Sequence, residues 1–280
     1  RSLLVYEVDA ALGFSLSSVM ADGPIDELTR TSRCQPALFV HGLLCWELLQ
    51  KEVTVEPVAA AGLSLGEFTA HAAAGTFSYI DGLELVSQRG TFMEEATEQT
   101  EGAMAAMIGG TEEAVDELAR ECGVDVANYN APGQIVLSGS KEGIERAVDQ
   151  AKAKGIKMAK PLTVAGAYHS RLMASAQEKL ESVLQSQTMS APSIPVICNV
   201  NAAEVKTEEE IKSSLTRQVT GSVRWSESMA QLAENGCDTF LELGPGGVLA
   251  GLMRRIAKGV TVHSIHDSAT LEKAVVALQG

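Results

Sequence analysis

An α/β protein, with a parallel-sheet body interrupted by an inserted β-α-β-β-α-β unit, is the fold class this sequence predicts. Three observations predict it. A short apolar run, Val58 to Ala61, passes through Gly62-Leu63-Ser64-Leu65-Gly66 into an Ala-rich run stopped by Gly75, which reads as strand, sharp turn and helix. Between Gly102 and Val164, strand-like and helix-like runs alternate in an order unlike the flanking chain. The 280 residues are 45% hydrophobic but only 4% aromatic, which suits a helix-rich core of Ala, Val and Leu.

Arg1 to Met20 reads as helical and then loose, with no β-run or initiating methionine ahead of it. The expectation is that the natural protein has residues before Arg1. Pro36 suits a first helical turn, and the run from Ala37 to Leu49 is apolar nearly all round, predicting a buried helix. Pro57 then opens the strand leading to Ser64. Asp81 with Glu84 resembles a capping box, and the helix it starts carries Leu83, Val86, Gly90 and Met93 on one face. Arg89 lies on that face too. A guanidinium placed among apolar side chains needs a partner: a distant carboxylate in a salt bridge, or the carboxylate of a substrate.

Within the insert, Ala103 to Ile108 is strand-like, Thr111 caps a helix ending at Gly123, and Val124 to Tyr129 is a strand. Asn130 to Gly133 makes a turn before a strand from Gln134 to Ser138. A helix from Lys141 to Lys154 stops at Gly155, and a strand follows from Ile156. This order predicts a ferredoxin-like subdomain over residues 102–165, set in a body formed by residues 1–101 and 166–280. Gly166 to Ser170 is a loop opening a helix that runs to about Gln185. Ile194 to Asn199 is a strand, Glu208 to Val219 a helix, Val223 to Trp225 a link, and Ser226 the cap of another helix. Thr239 to Leu243 reads as a buried strand. Gly244-Pro245-Gly246-Gly247 lacks the Lys-Ser/Thr of a P-loop and is read as a structural turn into the helix from Val248. Val260 to Ile265 is the last strand.

The net charge of −14 argues against general nucleic-acid or anionic-membrane binding. No apolar run reaches the length of a membrane span, so the reading is a soluble protein. Cys34, Cys45, Cys122, Cys198 and Cys237 form no C-x-x-C pair, which argues for reduced thiols and no zinc site. Lys152, Lys154, Lys157 and Lys160 make a local basic patch on the insert.

Between flanking glycines, Ser64 would stand exposed at the turn, and the amide of Leu65, at the positive end of the following helix, is placed to stabilise an oxyanion. The alternative is a tight βα turn whose serine only caps the helix. A nucleophilic serine needs a base. His41 sits in an apolar run and His71 two turns along the elbow helix, leaving His169 at a loop–helix junction, or His263 and His266. Ser64 with Asp238 or Glu242 and His266 would follow the chain order of an α/β-hydrolase, giving an esterase or thioesterase. Choosing His169 leaves a backbone carbonyl or amide to orient the ring.

Six segments in order resemble the malonyl-CoA:acyl carrier protein transacylase family. They are Gly62 to Glu67, Gln88 to Met93, Asn128 to Gln134, Ala167 to His169, Gln218 with Val223-Arg224-Trp225, and Glu242 to Gly246. The resemblance implies a hydrolase-like α/β domain with a ferredoxin-like insert. It implies Ser64 as nucleophile forming a malonyl ester, His169 as general base, Arg89 holding the malonyl carboxylate, and Gln218 helping to orient the histidine. Malonyl-CoA and the phosphopantetheine of acyl carrier protein would be substrates, with no cofactor or metal. The setting would be bacterial cytoplasm or plastid stroma. The basic patch would dock the acidic carrier. Leu63 stands where the family commonly has His. Family members begin with a strand and a Gly-Gln-Gly-type loop bearing a second oxyanion donor, which nothing here matches. A carrier-binding homologue without activity is the remaining alternative.

Overall fold

The computed structural model describes residues 3–279. Helices α1 (Leu3–Leu12), α2 (Leu16–Asp22) and α3 (Ile25–Thr29) lead into the long α4 (Thr31–Glu52). Pro36 lies inside α4 rather than in its first turn. It removes one intrahelical bond, to the Ser32 carbonyl, and the helix persists because Phe39, Val40, Leu43 and Leu49 are buried. The predicted all-round burial is not met: Leu38 and Leu48 are each 39% exposed.

Strand β1 (Ala60–Ala61) turns into α5 (Leu65–Ala73), and α6 (Tyr79–Glu98) packs along α4. Strand β1 is shorter than predicted, since only Ala60 and Ala61 pair with another strand and Val58 is 71% exposed. The cap of α6 is Ser78, whose hydroxyl accepts from the Asp81 amide at 3.1 Å, so Asp81 sits in the first turn instead of opening it. Leu83, Val86 and Met93 face inward as predicted, with Arg89 among them at 1% exposure.

The segment from β2 (Gly102–Ile108) through α7 (Glu112–Cys122), β3 (Asp125–Ala131), β4 (Gln134–Ser140) and α8 (Lys141–Gln150) to β5 (Met158–Pro161) forms its own sheet, ordered β3-β4-β2-β5. Every neighbouring pair in it is antiparallel. Met107, Leu118, Ile135, Leu137, Ile144 and Ile156 give this sheet and its helices a core separate from that around Phe39 and Phe68. Strand β3 extends past the predicted turn to Ala131, which leaves Pro132 and Gly133, the latter at φ +66°, to reverse the chain. Of the basic patch, Lys154 is paired with Glu117 and Glu121, while Lys152, Lys157 and Lys160 are exposed.

The chain then runs through α9 (Ala174–Ser186), β6 (Val196–Ile197), β7 (Glu204–Val205) and α10 (Glu208–Gln218). After α11 (Trp225–Glu234) come β8 (Thr239–Leu243), α12 (Val248–Ile256), β9 (Thr261–Ile265) and α13 (Ser268–Gln279). The cap of α11 is Arg224, so Ser226 is already helical. Pairing is parallel for β1 with β6 and for β8 with β9, and antiparallel for β6 with β7, so the protein is α/β with mixed sheets. In β8 only Glu242 is buried; the strand was predicted to be buried throughout. Among the described residues, no helix is long and apolar enough to cross a membrane.

Candidate active site

Strand β1 enters α5 through a backbone that is strained at the serine itself. Ser64 has φ +53° and ψ −112°, a region that L side chains rarely occupy. Asn199, just past β6, holds it there. Its Oδ1 accepts from the Ser64 amide at 2.7 Å, and its Nδ2 donates to the Gly62 carbonyl at 2.8 Å. The two motif glycines are not equivalent. A Cβ on Gly62 would lie 1.9 Å from the carbonyl carbon and oxygen of Gly66, whereas one on Gly66 would meet nothing within 4 Å. Gly62→Ala is expected to lose at least 1–3 kcal/mol of stability by forcing the turn open, while Gly66→Ala stays within about 1 kcal/mol of the parent. Thermal unfolding of the pair decides it; equal losses would contradict this reading of the turn.

The hydroxyl of Ser64 meets two groups. His169 Nε2 lies 2.7 Å from Oγ, and Arg89 Nη2 donates to Oγ at 3.0 Å. His169 comes from the loop before α9 and is itself held at φ +55°. Its Nδ1 donates to the backbone carbonyl of Gln218 at 2.8 Å, which fixes the tautomer and leaves Nε2 to accept the serine proton. Burial, and after it the charge of Arg89, pushes the imidazole down to about 4, so it is neutral at physiological pH. The Leu65 amide, which follows Ser64 in the chain and is first in α5, has no acceptor among the described residues.

Arg89 is fully buried, and burial pulls its guanidinium down to about 10, with Glu67 opposing the shift. Its Nη1 donates to Gln35 Oε1 at 2.5 Å, and its Nη2 donates to Gln218 Oε1 at 2.9 Å as well as to Ser64. The buried Nε–H has no partner among the described residues. Among the described residues no carboxylate takes this arginine in a salt bridge, so the salt-bridge alternative is not realised there.

Sequence reasoning named Ser64, His169, Arg89, Gln218 and Leu65, and the fold brings all five together. It missed Gln35, Glu67 and Asn199, which are buried polar residues facing the first set. Glu67 stood in the motif, but nothing in its spacing showed what it would face. The other histidines go elsewhere. His71 is buried with Nδ1 3.0 Å from Thr76 Oγ1, and His41 Nε2 contacts the His266 carbonyl at 3.2 Å. Glu242 accepts from the amides of Leu249 and Ala250 at 2.8 and 3.3 Å, capping α12, and His266 sits by Asp267. The hydrolase arrangement of Ser64, Glu242 and His266 is therefore not assembled.

The acyl transferase domain family matches residues 6–273. A malonyl CoA-acyl carrier protein transacylase of Bacillus subtilis is 41% identical over 278 residues, covering 98% of this chain and 87% of that protein. Among solved structures, an acyl-carrier-protein S-malonyltransferase from Burkholderia pseudomallei superposes with a TM-score of 0.93 at 38% identity, over 98% of this chain and 90% of that one. A malonyl-transacylase in complex with a type II PKS acyl-carrier protein superposes at 0.94 with 36% identity, over the same shares. A domain match over residues 6–273 and 41% identity along nearly the whole chain mean that the protein belongs to the malonyl CoA-acyl carrier protein transacylases of the acyl transferase domain family.

Proposed function

We propose that this acyltransferase moves a malonyl group from malonyl-CoA to the phosphopantetheine thiol of an acyl carrier protein through an ester on Ser64. One observation carries the reading: Ser64 Oγ lies between a neutral imidazole at 2.7 Å and a buried guanidinium at 3.0 Å. The first suits a hydroxyl that must lose its proton, the second a substrate with a free carboxylate.

In the first half-reaction Ser64 Oγ attacks the thioester carbonyl while His169 Nε2 takes its proton. The Leu65 amide donates to the carbonyl oxygen as it gains charge. The C–S bond breaks, and the proton on Nε2 goes to the CoA sulfur. In the second half the phosphopantetheine thiol gives its proton to Nε2 and attacks the ester, and Ser64 Oγ recovers the proton on leaving. Arg89 pairs with the malonyl carboxylate in both halves, and the Gln218 carbonyl holds the imidazolium that forms in each. No cofactor enters; CoA and phosphopantetheine are parts of substrates.

The same reading takes residues 1–101 with 166–280 as a hydrolase-like body and residues 102–165 as a ferredoxin-like insert, supported by the insert's separate core. The exposed Lys152, Lys157 and Lys160 lie on this insert and suit an acidic carrier. A bacterial cytoplasm or plastid stroma is the proposed setting, and the Bacillus subtilis and Burkholderia pseudomallei relatives are bacterial.

Intact-mass analysis after brief incubation with malonyl-CoA tests the proposal. A malonyl adduct is expected, and fragmentation is expected to place it on the peptide containing Ser64. Steady CoA release with no adduct would favour a hydrolase, and neither signal would leave a carrier-binding homologue.

A further inference from the structure

Glu67, the third residue of α5, is completely buried. A carboxyl there is costly unless donors meet it, and three do. Oε1 accepts from Ser214 Oγ at 3.1 Å; Oε2 accepts from the Asn199 amide at 3.0 Å and from Gln218 Nε2 at 2.7 Å. The Glu67 carboxyl makes no hydrogen bond to Ser64 Oγ, yet two of its partners lead to the reacting groups. Asn199 holds the strained backbone of Ser64, as described above. Gln218 Nε2 also donates to the Ser64 carbonyl at 2.9 Å, while its Oε1 faces Arg89 Nη2.

A side-chain amide has one accepting end and one donating end. With the Glu67 carboxylate and the Ser64 carbonyl both at Nε2, only the oxygen is left for Arg89. We propose that Glu67 is a positioning residue for carboxylate recognition: by accepting from Gln218 Nε2 it sets which end of that amide faces Arg89. Turned round, the amide would press N–H groups against those of the guanidinium and displace it.

The consequence reaches the substrate through Ser64, and here the inference rests on the malonyl-transfer reading. In the free enzyme one Nη2 hydrogen goes to Gln218 and another to Ser64 Oγ. Once Oγ is acylated it is an ester oxygen and a poor acceptor, so the second hydrogen is released to the malonyl carboxylate. Gln218 thus anchors the half of the arginine that the carboxylate needs.

The test compares malonyl and acetyl loading of Ser64, by quenched time courses and intact mass, in the parent, Glu67→Gln and Glu67→Met. In Glu67→Gln the new carbonyl takes the place of Oε2, because two N–H donors converge there, and the new NH2 faces the Ser214 hydroxyl, which can accept. Its malonyl-over-acetyl preference is expected to stay within about threefold of the parent. In Glu67→Met the Gln218 amide loses an acceptor, and the preference is expected to fall by about tenfold or more. Acetyl loading, which presents no carboxylate, should change far less.

A merely structural role would slow both substrates by one factor. Equal slowing, or an unchanged preference in Glu67→Met, would overturn the proposal. If Glu67→Met shows no cooperative unfolding transition, Glu67→Asp replaces it: too short to reach both Asn199 and Gln218, it is expected to lose the same preference, and keeping it would be equally fatal. A parent that forms no malonyl adduct at all is a different result, which removes the transfer reading and this inference with it.

Discussion

His169→Ala is expected to slow malonylation of Ser64 by about 10²–10⁴-fold, the usual worth of a positioned general base. The nucleophile stays in place in that variant, because Ser64 is held by Asn199 through its backbone and by Arg89 through its oxygen. What is lost is the acceptor for its proton. The same residue sets the pH dependence. Burial, and secondarily Arg89, lowers the imidazole from 6.5 to about 4, so the base is free above that value. The acid limb of the loading rate is therefore expected near pH 4, and single-turnover loading between pH 3.5 and 8 would show it. A limb centred near 6.5 would mean that water reaches the ring. The depressed value also bears on stability. The unfolded chain takes up this proton between about 6.5 and 4 and the folded chain does not, so the contribution of His169 is lost as pH falls through that window. Glu67 runs the other way. Burial raises it from 4.5 to about 7 against its hydrogen bonds, so its contribution is present at low pH and lost as pH rises through about 7.

Arg89→Ala is expected to lower malonyl loading by a factor of tens to thousands, corresponding to about 2–5 kcal/mol for a desolvated charge-assisted pair, while acetyl loading survives. The selectivity of the enzyme should thereby collapse or invert. Arg89→Lys is not expected to rescue it. A lysine has one ammonium where the arginine presents two nitrogens, one to Gln35 and the other to Gln218 and Ser64. Loading rates for both acyl-CoAs in both variants would decide this. Parallel losses for malonyl and acetyl groups would show that Arg89 serves the nucleophile and not the carboxylate.

Much of this site was legible beforehand because its chemistry is tied to local geometry. A serine between glycines marks a strand-to-helix turn, although Ser64 is half-buried rather than exposed, and an arginine in register with Leu83, Val86 and Met93 announces its burial. The helices of the insert were readable for a similar reason, since Thr111 and Gly123 act on backbone groups within a few residues of themselves. Less readable were ends decided by distant partners. Strand β1 shrank to Ala60 and Ala61 because β6 pairs only there. Two caps also moved: Ser78 accepts from the Asp81 amide three residues on, a local signal that was passed over, and Arg224 precedes the helix that was expected to start at Ser226.

The sequence by itself put forward the candidate set, Ser64 and Arg89 from local pattern and His169, Gln218 and the Leu65 amide with the family resemblance, on an α/β chain with a distinct unit from Gly102 onward. Tertiary structure decided the partners that were left open. The carbonyl expected behind His169 is that of Gln218, and Arg89 depends on Gln35 and Gln218 rather than an acid. The elbow depends on Asn199, which lies 135 residues away along the chain. The physical reason is range. Periodicity and turn chemistry act over a few residues and leave a pattern in sequence, whereas a hydrogen bond between buried polar groups needs only that the fold place a donor within 3 Å or so of an acceptor. Gln35, Glu67 and Asn199 carry no mark of that placement until the chain is folded.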